Sequence, residues 1–567
     1  MKPELRALQA SLQNWAERTG VIPTVRSMEQ RRASADLSVL KIVGPHDVPE
    51  LGTEGVAAAV EQLAASLVPG PVMPTLLAAL LGVTDAETAA VGLHPGTLTA
   101  TPAAAGEAAL TGAGIDGTLR VSGETGPVLG ASGDTTLVLG TVDGTWFRVA
   151  PGTPGVTVTP LDALDFSREL ARVRLDDVPA EPLPGLTTER VRDLAAILFA
   201  AEAAGVAAWC SATATAYAKT RRQFGQLIGE FQAVKHLCAW LHCRAERAGA
   251  VAWDAARSAD ERRPAVGVAL DDAVENAKDC IQVLGGIGFT WEHDAHLYLR
   301  RAVTLRALSP RGDDPPRPPA TGGNPPPGPP GAAEAAGIGA WAIPAIRAHG
   351  TQAQQDRFTS PDIVWCQLFS EPEAGSDLAG LRTRAVKTDG GWRLTGQKVW
   401  TSLARDADWA ICLARTDPDV PKHKGLSYFL VDMHSDGIDI HPLREITGRA
   451  VFNEVFLDDV FVADDCLVGQ PGDGWRIAMT TLATERETLG GGDILAERGV
   501  HPAVRKLLGV EDRQAEAEQA LTALGPDGAV ASPESFEFLL TRCLSIAGGT
   551  TQVLLNQVAE RVLGLPR

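Results

Sequence analysis

Positive charge is scarce in this 567-residue sequence. It contains 51 lysine and arginine residues against 70 aspartate and glutamate residues, which gives a formal net charge of −19. A protein that binds nucleic acid needs a basic surface to neutralise the phosphate backbone. We therefore expect no nucleic-acid partner.

Long apolar runs and regularly spaced cysteines are also missing. The longest apolar stretch, LAAILFAAEAAGVAAW at 194–209, is short for a membrane span and contains Glu202. The N-terminal stretch MKPELRALQASLQNWAER is charged throughout and does not resemble a signal peptide. The 8 cysteines show no disulfide framework, which is typical of a reducing compartment. These absences predict a cytoplasmic protein without a membrane segment.

One cluster of potential metal ligands occurs, in KHLCAWLHC at 235–243. Cys238 and His242 share a helical face, which brings two potential ligands together. No second cluster completes a set of four ligands, and the segment lies within a helical pattern of apolar residues. We therefore predict no metal site.

Proline is concentrated at 309–331, in SPRGDDPPRPPATGGNPPPGPPG. Because proline lacks the N–H donor and fixes φ, this segment forms neither a helix nor a central strand, and we predict a linker. A chain of 567 residues also exceeds a single hydrophobic core. On both sides of the linker the patterns run from helix to strands to helix. This order predicts a degenerate tandem repeat of one α+β subunit plan.

The periodicities set the predicted boundaries. Alternating stretches such as TTLVLGTV, WRLTGQKVWT and DWAICLART predict strands, whereas VRDLAAILFAAEAAGVAAWCSATATAYAKTRRQFG has apolar residues at helical spacing. The predicted segments are a shortened N-terminal helical domain at 1–93, a degenerate β-domain at 94–182, a helical domain at 183–308, the linker at 309–331, a residual helical segment at 332–362, a second β-domain at 363–469 and a shortened C-terminal helical domain at 470–567.

The stretch LFSEPEAGSDLAG at 368–380 follows an apolar strand pattern and predicts a connecting loop that bends at Gly375. Its small residues let backbone N–H groups approach a flat or anionic ligand, and Ser370 and Ser376 add hydroxyl donors. A surface turn could have the same composition. The motifs TGQKVWTS, LARTDPD, KGLSYFLVDM and FNEVFLDDVFVADDCLVG then follow in order.

These ordered motifs resemble the acyl-CoA dehydrogenase family. Residues 363–486 resemble its middle β-domain and the following helix, and residues 190–308, with AYAKTRRQFGQLIGEFQAVKH and QVLGGIGF, resemble its C-terminal helical domain. The ending SIAGGTTQVLLNQVAERVLGLPR resembles the family's C-terminus. The two halves with a linker resemble the fused, heteromer-type enzymes of actinobacterial steroid side-chain catabolism. The resemblance implies an FAD-dependent enzyme that introduces a trans-2,3 double bond into a bulky, branched or steroid side-chain acyl-CoA.

In that family FAD lies between two subunits, and the resemblance divides its site between the two halves. The flavin side falls on Gln367, Phe369, Ser370, Gly375, Ser376, Trp400 and Ser402. The diphosphate and adenosine side falls on Arg221, Gln223, Phe224, Gln232, Gln282 and Gly286. The first half has no EPxxGSD motif (its corresponding region is predicted to be GEAALTGAGIDGTLRV), and the second half has no RxxFG motif. We therefore expect one FAD per chain, with an electron-transfer flavoprotein as acceptor and a homodimer of fused chains as the assembly.

The resemblance also implies where the catalytic base lies. Many members use the glutamate of a YEGT motif, but the corresponding stretch here is AGGT at 547–550. Other members use the glutamate of an earlier ER motif, which matches Glu485 and Arg486 in TTLATERETLGGG. We predict that Glu485 removes the α-proton and that Arg486 orients it or balances its charge. The backbone N–H of Gly548 and the FAD ribityl 2′-hydroxyl would polarise the thioester carbonyl.

Several features leave alternatives open. Glu487 and Glu371 are rival candidates for the base, and Glu373 places a carboxylate where the family usually has glycine. In the first half, the position of the ER motif falls near Ala195 and Ala196, which predicts a non-catalytic first half. The shortened helical domains also fit a non-catalytic acyl-CoA- or flavin-binding scaffold. An oxygen-using flavin oxidase on the same fold is a third hypothesis.

Overall fold

The computed structural model describes residues 2–28, 37–102, 119–257, 263–310, 332–489 and 499–566. Residues 311–331 of the predicted linker and most of GEAALTGAGIDGTLRV lie outside these ranges. The helices are α1 Pro3–Thr19, α2 Val21–Met28, α3 Val48–Ala65, α4 Val72–Leu80, α5 Thr188–Ala218, α6 Gln232–Arg257, α7 Arg263–Leu284, α8 Ala295–Leu308, α9 Ala332–His349, α10 Gln352–Phe358, α11 Gly474–Leu489, α12 Pro502–Ala523, α13 Pro533–Leu540 and α14 Thr551–Gln557.

The strands belong to two large sheets and one small hairpin, described below. In chain order they are β1 Ala89–Val91, β2 Thr99–Pro102, β3 Leu119–Glu124, β4 Val128–Leu129, β5 Thr136–Gly140, β6 Trp146–Val149, β7 Val156–Pro160, β8 Leu170–Pro182, β9 Arg222–Gln223, β10 Gln226–Leu227, β11 Trp365–Leu368, β12 Arg384–Thr388, β13 Gly391–Ser402, β14 Trp409–Arg415, β15 Leu426–Asp432, β16 Ile438–Leu443, β17 Phe452–Ala463 and β18 Leu467–Val468.

The two large sheets share one plan. The first has the order β1-β5-β6-β8-β3-β2, with β4 and β7 also on β8, and the second has the order β16-β17-β13-β12-β14-β15-β18, with β11 on β14. In each, the first strand forms a parallel pair, β1 with β5 in the first sheet and β11 with β14 in the second. The predicted tandem α+β plan is confirmed. β1 begins before residue 94, so the first sheet starts earlier than the predicted boundary.

Helix α5 forms the centre of the helical layer. Its first turn is capped by the Thr187 hydroxyl, which accepts the Arg190 N–H at 3.1 Å, and its alanine-rich surface packs on α3, α6 and α7. Among the described residues it is the one helix long and apolar enough to cross a membrane, but 89% of its most apolar window is buried inside the fold. Glu202 within it pairs with the buried Arg168. These features are those of a core helix.

Each half reaches across to the β-domain of the other half in the same way. A short 3₁₀ helix follows α7 at Gly285–Phe289, and another follows α12 at Gly525–Ala529. The residues after each turn form a bridge to the opposite sheet domain. The backbone bonds run from Ile446 N–H to Phe289 C=O (3.1 Å), from Trp291 N–H to Arg444 C=O (3.0 Å), from Leu164 N–H to Ala529 C=O (2.8 Å) and from Ala531 N–H to Asp162 C=O (2.7 Å). The chain therefore has an internal two-fold relationship between its halves.

Candidate active site

The RRQFG segment is a hairpin rather than the predicted continuation of a helix. Helix α5 ends at Ala218, and the next residues form the antiparallel pair β9 and β10. Between these strands Phe224 and Gly225 have φ values of 54° and 82°, which no α-helix allows. The helical spacing in the sequence could not report this left-handed turn. The Phe224 N–H donates to Asp377 Oδ2 at 3.1 Å, so the hairpin contacts the 368–380 loop of the second half, called the glycine-rich loop below.

Side chains of this hairpin hold the glycine-rich loop. Arg221 donates to the Pro372 carbonyl at 2.9 Å and to Glu373 Oε2 at 3.2 Å. The Gln223 amide donates to the Glu373 carbonyl at 2.8 Å and accepts the Asp377 N–H at 3.0 Å. The unusual Glu373 is thus the partner of an arginine from the other half. Residues predicted for the two sides of one site lie together within a single chain.

A second contact between the halves involves Trp400 and Gly286. A Cβ atom on Gly286 would lie 2.8 Å from the Trp400 indole nitrogen, so this position needs glycine. The Trp400 ring also packs near Phe289, at 6.2 Å between ring centroids, and against Phe452, at 5.5 Å. Trp400 has a φ of 64°, a left-handed conformation that is strained for a large side chain. The first half therefore fixes an aromatic ring that the sequence assigns to the flavin side.

Glu485 lies buried on α11, next to the strand that leads into the glycine-rich loop. Glu485 is 9% exposed, and its carboxyl group lies near the side chain of Gln367 at the end of β11. Burial raises the pKa of Glu485, while Lys506, Gln367 and Arg486 act in the opposite direction. Glu485 Oε2 and Gln367 Oε1 are buried acceptors with no hydrogen-bond donor in the described part of the chain. A buried acid with a raised pKa and an open oxygen suits proton transfer.

Two cations close to Glu485 hold the 547–549 turn. Lys506 donates to the carbonyl of Ala547 and, at 2.8 Å, to that of Gly549. Arg486 donates to the intervening carbonyl of Gly548 at 3.3 Å. In a trans peptide the C=O and N–H point in opposite directions. The N–H groups of Gly548 and Gly549 therefore point away from the cations that hold the carbonyls.

The rival candidates for the base are differently placed. Glu371 accepts from Lys398 at 2.9 Å and from the N–H groups of Arg382 and Thr383 at 2.6 and 2.9 Å. Burial acts to raise the pKa of Glu371, but the Lys398 charge and these hydrogen bonds outweigh it and lower the pKa. Glu371 is thus a fully bonded structural acid. Glu487 is exposed and pairs with Arg505 at 3.2 Å.

Other predicted site residues lie in varied surroundings. The Phe369 side chain is buried in the core against Tyr428, so this residue contributes only its backbone to the surface of the loop. Gln232 is exposed, and its amide lies 3.5 Å from His236. Gln282 bonds the C-terminal tail instead of the loop. Its partners are the Ser545 carbonyl (3.1 Å), the Ser545 hydroxyl (2.6 Å) and Gln552 (3.0 Å). Gly375 and Ser376 are exposed on the loop, and Ser370 and Ser402 are half-buried.

Strand pairing gives the counterparts of these residues in the first half. Gly123 opposes Leu175 after a bulge, as Gly396 opposes Leu457, and β1 pairs with β5 as β11 pairs with β14. This register matches Gln367, Lys398 and Ser402 to Val91, Thr125 and Leu129. The counterpart of the glycine-rich loop is therefore the GLHPG stretch after β1, and the prediction of GEAALTGAGIDGTLRV is wrong. A cavity of about 230 Å³ is lined in part by Gly92, Leu93 and Pro95 of this stretch.

Comparisons with known proteins match the two halves to different domains of one family. The profile "Acyl-CoA dehydrogenase, C-terminal domain" matches residues 193–309 in the first half, and "Acyl-CoA dehydrogenase, middle domain" matches residues 366–460 in the second. Acyl-CoA dehydrogenase FadE34 of Mycobacterium tuberculosis (strain ATCC 25618 / H37Rv) is 42% identical, over 94% of this chain and 92% of that protein. Acyl-CoA dehydrogenase IpdE1 of the same organism is 37% identical, over 40% of this chain and 74% of that protein.

Solved structures also match. The Tcur3481-Tcur3483 steroid ACAD is 23% identical, with a TM-score of 0.38 over 52% of this chain and 89% of that chain. The ChsE4-ChsE5 complex from Mycobacterium tuberculosis is 20% identical, with a TM-score of 0.36 over 61% of this chain and 100% of that chain.

Proposed function

The chain belongs to the acyl-CoA dehydrogenase family, and from this premise we propose that it uses FAD to introduce a trans-2,3 double bond into an acyl-CoA thioester with a bulky, branched or steroid side-chain acyl group. The observation that carries the proposal is the buried carboxyl group of Glu485, which lies near Gln367 beside the glycine-rich loop. The fused arrangement of two halves supports the substrate class. An electron-transfer flavoprotein is the proposed acceptor, and two chains would form the assembly.

The residues at the loop suit a flavin dinucleotide. The guanidinium of Arg221 and the amide of Gln223 are donors of the kind that bind diphosphates, and both contact the loop from the other half. The missing Cβ of Gly286 lets the Trp400 ring pack directly against the backbone of the first half, which fixes this ring on the proposed flavin side. We propose that these residues, with Ser376 and Ser402, hold one FAD per chain. When bound, FAD supplies the acceptor for the hydride that leaves the β-carbon.

The protein's own part in the reaction is to move a proton and stabilise negative charge. We propose that Glu485 takes the α-proton of the thioester, because its burial raises its pKa and keeps one oxygen open. The N–H of Gly548 points away from Lys506 and can donate to the thioester carbonyl, which makes the α-proton more acidic. The first half has alanines at the position of the ER motif and supplies cofactor contacts instead.

A visible absorbance spectrum of the purified protein, followed by anaerobic titration with acyl-CoA thioesters, tests this function. The panel should include short straight-chain, branched and steroid side-chain thioesters. We expect a flavin band that bleaches with a bulky thioester. A band that no thioester bleaches would favour a binding scaffold, and peroxide formation in air would favour an oxidase. A protein purified without flavin, and unable to take it up, would contradict the site shared by the two halves.

A further inference from the structure

Lys506 on α12 is a buried cation that no sequence motif identifies. Its side chain is 1% exposed, although lysine is almost never fully buried without a partner. The ammonium donates to the carbonyls of Ala547 and Gly549, on either side of the carbonyl that Arg486 holds. Lys506 therefore fixes the turn that carries the proposed Gly548 donor.

The same ammonium lies within the electrostatic reach of Glu485. The charged and titratable groups that act on Lys506 are Glu485 and Arg486 from α11 and Cys543 from the segment before the turn. Glu485 in turn is acted on by Lys506, Gln367 and Arg486. Burial lowers the pKa of Lys506 to about 8, while Glu485 acts to raise it. With a pKa of about 8, the lysine remains a cation at neutral pH.

Anchoring the turn does not by itself need a charge. A neutral amide at position 506 could also donate to a backbone carbonyl. A positive charge has a further effect, since an opposite charge near a carboxylate favours its ionised form and offsets the burial that disfavours it. A base must be ionised before it can accept a proton. Lys506 therefore acts on two groups of the proposed reaction. It holds the turn that carries the Gly548 N–H, the proposed donor to the thioester carbonyl, and its charge acts on the proposed base Glu485.

We propose that Lys506 is a positioning residue, which holds the 547–549 turn in place and keeps the buried Glu485 ionised for proton transfer. This inference rests on the proposed function. It assigns a part in the reaction to α12, a helix without any recognised motif.

The test compares three variants of the flavin-loaded enzyme by the pH dependence of kcat/KM, with a thioester that bleaches the wild-type flavin. Lys506→Met should lower kcat at neutral pH about 10- to 100-fold. It should also move the acid limb of the pH profile, on which activity falls as Glu485 becomes protonated, to higher pH. Lys506→Gln should also move the limb, because it keeps a donor but loses the charge. Lys506→Arg should leave the limb near its wild-type position.

Arg505→Met is the matched control, because Arg505 is the neighbouring cation on α12 and pairs with Glu487. It should leave the acid limb unmoved. Hydrogen exchange of the 547–550 amides gives a second readout, and it should be faster in Lys506→Met than in Arg505→Met. If Lys506→Met does not fold, Lys506→Gln carries the test.

The outcomes separate the two proposals. A wild-type flavin that bleaches, with an acid limb unmoved in Lys506→Gln, would overturn the role of Lys506 alone. A wild-type flavin that no thioester reduces would overturn the proposed function and this inference with it.

Discussion

The side chains of Gln367 and Glu485 lie close to each other, although they belong to a strand and a helix that are far apart in the sequence. This proximity brings the end of β11, where the glycine-rich loop begins, next to the buried Glu485 of α11. Each side chain also keeps one acceptor oxygen without a donor in the described residues. The geometry therefore brings the proposed base and the proposed flavin side into one small polar cluster.

Replacing Glu485 with glutamine should abolish turnover without loss of flavin. The amide is nearly isosteric but cannot accept the α-proton, so we expect kcat to fall at least about 1,000-fold. Glu487→Gln is the control, because Glu487 is exposed on the same helix and pairs with Arg505. Stopped-flow reduction of the flavin measures both variants. Normal reduction of Glu485→Gln would exclude it as the base.

Removing Arg221 should weaken flavin binding across the contact between the halves. Arg221 joins the hairpin of the first half to Pro372 and Glu373 in the loop, and its guanidinium is a proposed diphosphate donor. We expect Arg221→Ala to retain FAD about 10-fold less tightly. The adjacent Arg222 is exposed, and Arg222→Ala should behave like the wild type. Flavin fluorescence during dilution gives both dissociation constants, and equal constants would contradict the assignment.

The flavin content should be one FAD per chain. The first half has Val91 and Leu129 where the second half has Gln367 of β11 and Ser402 of β13. Apolar side chains at these positions do not replace the hydrogen bonds of a flavin ring. Absorbance of released FAD against protein concentration by amino-acid analysis measures the ratio. A ratio near two would mean that the first sheet domain still holds a cofactor.

The regular elements could be predicted from the sequence, whereas contacts between distant segments could not. DWAICLART and WRLTGQKVWT alternate or run apolar as strands must, and the predicted strands coincide with β14 and β13. The RRQFG hairpin depends on the positive φ of Phe224, which has no signature in hydrophobic spacing. Lys506 contacts a turn that lies more than forty residues further along the chain, and hydrophobic periodicity does not report contacts over such a separation. The sequence predicted the wrong counterpart of the loop in the first half, because the register of the paired strands is needed to match residues of the two sheets.

Acid should weaken the contact between the helices of the two halves. Glu518 on α12 pairs with Lys278 at 2.9 Å and with Arg306 at 2.7 Å. Burial acts to raise the pKa of Glu518, but the two cations outweigh it and hold the pKa at about 2. Because the folded pKa lies below the unfolded value, this stabilisation is present above about pH 4.5 and is lost as the pH falls towards 2.

Glu518→Gln should therefore lower the free energy of unfolding by about 1 to 3 kcal/mol at neutral pH. The difference from the wild type should shrink steadily below pH 4.5. Glu516→Gln serves as the control, since Glu516 is exposed on the same helix. Urea unfolding at several pH values measures the differences. A difference that stayed constant with pH would show that the ion pairs do not stabilise the contact.

Breaking the buried pair of Lys398 and Glu371 should destabilise the second β-domain strongly. Lys398 is 0% exposed and Glu371 is 6% exposed, and their side chains are 2.9 Å apart. Lys398→Met would leave a buried carboxylate without its counter-charge, which costs about 3 to 5 kcal/mol in comparable sites. Lys387→Met is the control, because Lys387 pairs with Asp464 on the surface, where both side chains are 53% exposed. That change should cost less than about 1 kcal/mol.

The double variant Lys398→Met with Glu371→Gln separates the charge from the packing. It removes both members of the pair, so its loss of stability should be smaller than the sum of the two single losses. The first sheet domain has Thr125 where the second has Lys398, and its sheet has the same plan, which indicates that the strands can form without the pair. Urea unfolding of the single and double variants measures the coupling. Additive losses would mean that Lys398 stabilises the sheet through its bonds to the Phe369 and Leu413 carbonyls and not through Glu371.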